Sequence, residues 1–168
     1  LYPYSLVNRR GIPKDFQGRW VIHEGPIGYF NKELVEAAFN KMDKEPEITG
    51  EATGGWIGLT SKNWVTAIVP EQENKTKFRI VYTKAAIDGI KDRYQADILG
   101  PAELVKAESM SEYTTNVFSG PKKLSLLEKY ENEWNVPHFD LAVDFGLFYF
   151  LTRPFFAIIH FFLQCTFW

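Results

Sequence analysis

Three histidines and one cysteine are the side chains of this 168-residue chain best suited to metal binding or proton transfer. His23 is followed by Glu24 and then Gly25-Pro26, so no second histidine falls at the helical spacing a metal site needs; the pair reads as the end of a strand. His138, Asp140 and Asp144 lie close in sequence. On a helix the two aspartates would share a face, as an acid/base pair might, but they equally suit the positive start of a helix, and that is the reading adopted. Histidine is the residue type of a proton switch, yet the position of His160 on a polar stripe gives it an interfacial role. Cys165, being alone, excludes an internal disulfide and a cysteine zinc cluster. Asn74-Lys75-Thr76 fits the glycosylation acceptor pattern, which is short and common. Trp20, Trp56 and Trp64 could line a sugar-binding face; in strands such residues more often pack cores or sheet faces. With no phosphate loop, nucleophile elbow or zinc signature, no enzymatic activity, metal or cofactor is expected.

The elements that must position these residues are mostly strands. Net charge is −2, which supplies no basic field for nucleic acid, and 45% hydrophobic residues suffice for one core. Arg19–His23 is a plausible strand ended by Gly25-Pro26. Asn31 can cap a helix over 32–42, with Leu34, Val35, Ala38 and Phe39 as its apolar stripe. From Ile48 the pattern turns β: 54–59, 64–69 ended by Pro70, 77–82, 93–99, and 112–118 ended by Gly120-Pro121. That spacing argues for an antiparallel sandwich. After Pro121, Leu124, Leu127, Tyr130 and Trp134 recur at helical intervals, an amphipathic helix over about 122–134. The expected organisation is a partial β-domain over 1–136, then a junction and aromatic membrane helix over 137–168. The opening Leu1-Tyr2-Pro3-Tyr4-Ser5-Leu6-Val7 reads like the middle of a β-domain, so further sequence is expected before it.

The tail from Phe145 to Trp168 contains one charged residue, Arg153, among Phe148, Tyr149, Phe150, Phe155, Phe156, Phe161 and Phe162. It is long enough to span a bilayer, which takes ~17–25 apolar residues. Spanning would place Arg153 near mid-membrane, at roughly 2.5–3.5 kcal/mol, and Pro154 would remove a helix hydrogen bond there. The spacing of Tyr149, Arg153, Ala157, His160 and Gln164 draws one polar stripe along a helix. That stripe suits a helix lying over 145–163 in the membrane interface. The competing reading is a buried helix of a soluble domain, or a tail that docks on a partner protein.

Residues 137–146, Pro137-His138-Phe139-Asp140-Leu141-Ala142-Val143-Asp144-Phe145-Gly146, followed by Phe148 to Phe156 around Arg153-Pro154, resemble the junction between periplasmic domain and membrane core in the YidC/Oxa/Alb family. Gly54-Gly55-Trp56, Ala67-Ile68-Val69-Pro70 and Tyr113 to Pro121 are also similar to that family's periplasmic domain. The resemblance implies a mainly β fold, part of a β-super-sandwich with short packed helices, followed by an aromatic amphipathic membrane helix. It implies a non-enzymatic role in inserting and folding membrane proteins at the bacterial inner membrane, with the β-domain in the periplasm. The implied partners are nascent membrane proteins, Sec translocon components and the lipid bilayer, with no nucleic acid. Two departures stand out. Leu163 to Trp168 does not match the step that leads to the family's first core helix, so Arg153 is not equated with the arginine of the insertion groove. The first half of the periplasmic domain and an N-terminal anchor also have no counterpart here. The alternative reading is a carbohydrate-binding or mutarotase-like β-sandwich.

Overall fold

The computed structural model of the chain describes residues 1–16, 18, 22–87 and 89–143. Among them run β1 (Tyr4–Arg10), β2 (Gly25–Phe30), β3 (Glu33–Glu36), β4 (Glu47–Thr53) and β5 (Trp56–Thr60). They are followed by β6 (Trp64–Pro70), β7 (Lys75–Thr83), β8 (Arg93–Leu99) and β9 (Thr115–Pro121), then α1 (Leu124–Glu133) and a 3-10 turn, Phe139–Ala142. The strands form a four-stranded sheet, β1-β8-β7-β4, and a five-stranded sheet, β3-β2-β5-β6-β9, antiparallel throughout. The fold is therefore mainly β, as the turn spacing implied.

Side-chain alternation sorts the residues into two cores. Phe30, Ile57, Leu59 and Ile68 of the five-stranded sheet meet Phe78, Ile80, Tyr94, Ala96 and Ile98 of the four-stranded sheet. The opposite face of the five-stranded sheet presents Ile27, Trp56, Val65, Ala67, Val69 and Phe118 to Leu127, Val136, Phe139 and Ala142 of the helical layer. That sheet is thus covered on both faces, which is why every residue of β5 is buried and its sequence, Trp-Ile-Gly-Leu-Thr, shows no polar alternation. Gly55 precedes it at φ 122, and a Cβ there would run into the Tyr29 carbonyl oxygen; only glycine allows β2 and β5 to approach so closely.

The expected helix over 32–42 is not formed. Asn31 (φ 55) and Lys32 (φ 64) instead make a two-residue hairpin turn, and Phe30 pairs with Glu33 across it. Asparagine favours the left-handed region, so the same residue serves a helix cap or a tight hairpin turn. Beyond β3 the backbone stays tied to β2, with Ala37 N–H donating to Pro26 O at 2.9 Å and Phe39 N–H to Glu24 O at 3.1 Å. Of the apolar positions read as a helical stripe only Phe39 is buried in the inter-sheet core, where Ala37 and Met42 join it; Val35 packs against that core partly buried and Leu34 is exposed. Gly25-Pro26, read as a strand end, opens β2, while Ile22 and His23 are not in a strand and residues 19–21 lie outside the described residues. The last strand also runs through Gly120-Pro121 and not up to it. Proline is tolerated there because β9 is an edge strand.

Candidate functional site

The chain leaves the sandwich through a small aromatic joint. Pro121 ends β9, and α1 lays Leu127 against the five-stranded sheet with no side-chain cap at Lys123. Trp134 N–H donates to Tyr130 O at 2.9 Å and Val136 N–H to Glu131 O at 3.0 Å, which tightens the helix end. Asn135 (φ 49) and His138 (φ 53) then reverse the chain in left-handed conformations. The reversal drops Phe139 edge-on against Trp56 at 5.3 Å and Phe118 at 5.6 Å, distances typical of T-shaped aromatic pairs. His138 lies against the Tyr29 ring at 4.8 Å. This histidine is a packing residue at the joint.

Asp140 is among the described residues, whereas the aromatic helix whose start it is expected to charge lies outside them. The aspartate sits in the 3-10 turn, buried to 5% exposure, and its N–H donates to Glu131 Oε2 at 3.1 Å. An acid from α1 thus meets a backbone donor of this turn. Asp144, expected to share a face with Asp140, lies outside the described residues, as do the expected interface residues from Phe148 through Arg153, Pro154 and His160 to Phe162. His23 Nε2 lies 3.0 Å from Pro26 O, holding the turn into β2. Trp56 is fully buried, whereas Trp64 is 58% exposed.

A second polar feature, which no sequence motif announced, lies on the outward face of the four-stranded sheet. A groove of about 540 Å³ there is lined by Tyr4, Thr49, Glu51, Lys77, Arg79 and Asp97 among others. Arg79 grips Asp97 with Nε and Nη2 at 3.1 and 3.2 Å. Gln95 Nε2 donates to the same carboxylate at 2.6 Å and reaches the Tyr4 hydroxyl at 3.1 Å. The Asp97 hydrogen bond and charge raise the Arg79 guanidinium above its ordinary value, partly opposed by burial. A carboxylate whose oxygens accept from three donors is a structural counter-ion and is poorly placed to accept a proton from a substrate. The one clue in the sequence was charge at outward positions of neighbouring strands, Arg79 and Asp97.

Among the described residues, no three His, Cys, Asp or Glu side chains gather as a metal site, and no helix is long and apolar enough to cross a membrane. The match to known proteins is unambiguous: residues 1–158 fit the YidC periplasmic domain. The chain belongs to the YidC periplasmic-domain family. It is 39% identical to the Membrane protein insertase YidC of Methylorubrum extorquens (strain PA1), over 98% of this chain and 28% of that protein. It is 40% identical to the protein of the same name from Agrobacterium fabrum (strain C58 / ATCC 33970), over 94% of this chain and 25% of the relative. The Rickettsia canadensis (strain McKiel) insertase is 34% identical over 95% of this chain and 28% of its own length. The chain thus spans about a quarter of the length of the YidC relatives it matches. Membership favours the insertase family over a carbohydrate-binding sandwich, and the strands and joint described above are the periplasmic-domain part of it.

Proposed function

We propose that this chain is the periplasmic β-domain portion of a membrane protein insertase of the bacterial inner membrane, a non-catalytic helper of membrane protein insertion and folding. The observation that carries the reading is the fit of residues 1–158 to the YidC periplasmic domain, with relatives named as membrane protein insertases. Its substrates are nascent membrane proteins, and it works alone or beside Sec translocon components. The chain divides into the folded sandwich with its helical joint and an aromatic segment that follows. Residues 145–163 of that segment lie along the membrane interface, with Tyr149, Arg153, His160 and Gln164 toward headgroups and water and with Phe148, Phe150, Phe155, Phe156, Phe161 and Phe162 toward hydrocarbon. An interfacial path keeps Arg153 in the headgroup layer, where anionic lipid attracts it by about 1 kcal/mol.

The function is tested in the cell that encodes the protein. Depleting it should leave newly made inner-membrane proteins uninserted, read as altered protease accessibility of their loops; unimpaired insertion of every client assayed overturns the proposal. The path of the tail is tested with single cysteines at Phe148, Arg153, Ala157 and His160 in a Cys165→Ser background, in liposomes. Reaction of Arg153, Ala157 and His160 with a water-soluble reagent from one side supports the interfacial path. Protection at Arg153 and Ala157, with the two ends labelled from opposite sides, refutes it.

A further inference from the structure

One end of the four-stranded sheet has a composition unlike the rest of the surface. The register brings Arg10 at the end of β1 directly opposite Arg93 at the start of β8, and Arg93 opposite Thr83 at the end of β7. Gly11 N–H donates to Asp92 O at 2.7 Å, so the chain leaving β1 is clipped to the loop that joins β7 and β8. On these two adjoining segments stand Ile12 at 41%, Ile87 at 65% and Ile90 at 51% exposure. Around them Arg9, Arg10, Lys14, Lys84, Lys91 and Arg93 are all exposed.

Two physical facts make this arrangement informative. Like charges directly opposite on neighbouring strands are destabilising, and Arg10 faces Arg93. Ile12, Ile87 and Ile90 leave much of their aliphatic surface in water among cations. Both features become favourable together against one kind of surface, a sheet of anionic phosphates with hydrocarbon behind it. Cations outnumber acids on these two segments by six to three, the acids being Asp15, Asp88 and Asp92. Asp43, Glu45 and Glu47 enter at β4, the sheet edge farthest from β1. Asp92 accepts from the Tyr82 hydroxyl at 2.8 Å and the Ala85 N–H at 2.8 Å. Asp15 stands beside Lys14 in the sequence.

We propose that the β7–β8 loop and the chain after β1 form a second lipid-contacting surface. It docks on an anionic bilayer, with Ile12, Ile87 and Ile90 entering the interface and Arg10 and Arg93 sharing phosphate headgroups. The surface belongs to the β-domain itself and is separate from the aromatic tail, so the inference stands on its own residues and does not depend on the path of residues 145–163. Its consequence is orientation: the sandwich is held at two places on a membrane.

The full chain tests this with an environment-sensitive dye at Ala86→Cys, in a Cys165→Ser background, mixed with phosphatidylcholine vesicles or with vesicles containing phosphatidylglycerol. A parallel sample carries the dye at Phe148→Cys. The loop dye should shift to the blue with phosphatidylglycerol vesicles and not with phosphatidylcholine vesicles, and inorganic phosphate should not reproduce the shift. Ile87→Ser with Ile90→Ser should abolish it. Arg10→Gln and Arg93→Gln should each weaken loop partitioning by about fivefold, with added salt weakening it for the parent protein too. A tail dye that shifts while the loop dye stays in water on every vesicle overturns this inference and leaves the insertase reading standing. A loop dye that responds equally to both vesicles, or to phosphate alone, also overturns it.

Discussion

Trp56 and Asp97 lie on opposite outward faces of the sandwich, and both are almost wholly hidden, at 0% and 2% exposure. Trp56 is hidden by other elements: α1 and the 3-10 turn lay Leu127 and Phe139 over it. Asp97 has no such layer. Its cover is the side chains beside it on the sheet, Arg79, Gln95 and, through Gln95, Tyr4. The same strand alternation therefore yields an aromatic core where the chain returns across the sheet, and a closed polar network where it does not. The apolar cover comes from the helical segment that follows the last strand, which couples the stability of the domain to the geometry of its exit.

The sharpest way to break that coupling is Trp56→Ala. Removing a fully buried tryptophan should lower stability by about 3–5 kcal/mol in urea denaturation. Phe139→Ala, which takes away the facing ring, should lie in the same range and be less than additive with it, because the two rings touch. Additive losses would show that the helical joint and the sheet are not one packed unit.

A smaller effect belongs to the opposite face. Arg79→Ala leaves the Asp97 carboxylate buried with Gln95 as its remaining side-chain donor. Breaking a fully buried pair costs ~3–5 kcal/mol; here the Arg79 side chain is 44% exposed, so about 1–3 kcal/mol is expected. The double variant Arg79→Met with Asp97→Leu should recover most of the loss, since a well-packed apolar pair often replaces an ion pair neutrally. Failure of the double variant to recover would mean that the network specifies the sheet register as well as satisfying its own charges.

Much of this was legible in residue order, and the exceptions have physical causes. β8 was readable over its full length because its strand propensity, alternation and the Gly100-Pro101 stop agree. The helix after Pro121 was readable because its leucines and aromatics keep the helical period. Asn31 misled because a cap and a hairpin turn ask for the same residue, and only the pairing of β3 with β2 decides between them. β1 was legible as β sequence but not in its bounds, since Tyr-Ser-Leu-Val-Asn-Arg-Arg is largely exposed and draws its order from β8. The Arg79–Asp97–Gln95 network could not be found locally, because its members meet only when β7 and β8 pair in register.

Trp64 offers a near-zero control for the tryptophan comparison. It begins β6, one strand away from Trp56, yet is 58% exposed. Trp64→Thr should change stability by no more than about 0.5 kcal/mol, as surface substitutions usually do. A loss comparable with that of Trp56→Ala would mean that a further part of the protein covers this face.

The smallest effect is confined to the β7–β8 loop and is read by pH. Asp92 accepts from the Ala85 backbone N–H and the Tyr82 hydroxyl, and these two bonds, the backbone one foremost, hold its carboxyl below the ordinary carboxylate value of 3.8. A depressed folded-state value means that the contribution is complete above the ordinary value and is lost as pH falls through the lowered one. Tyr82 moves the other way, pushed up to about 12 by the Asp92 hydrogen bond first and by burial second. Its contribution is complete below its ordinary value of 10.0 and is lost as pH rises through about 12. The Ala85 amide proton, followed by NMR, should therefore hold one position from mildly acid to mildly alkaline pH and move at both extremes. Its acid midpoint should lie below 3.8, and Asp92→Asn should remove that step while leaving global unfolding nearly unchanged. An acid midpoint at or above the ordinary value would show that the loop is not clipped to Asp92, and with it would go the fixed presentation of Ile87 and Ile90.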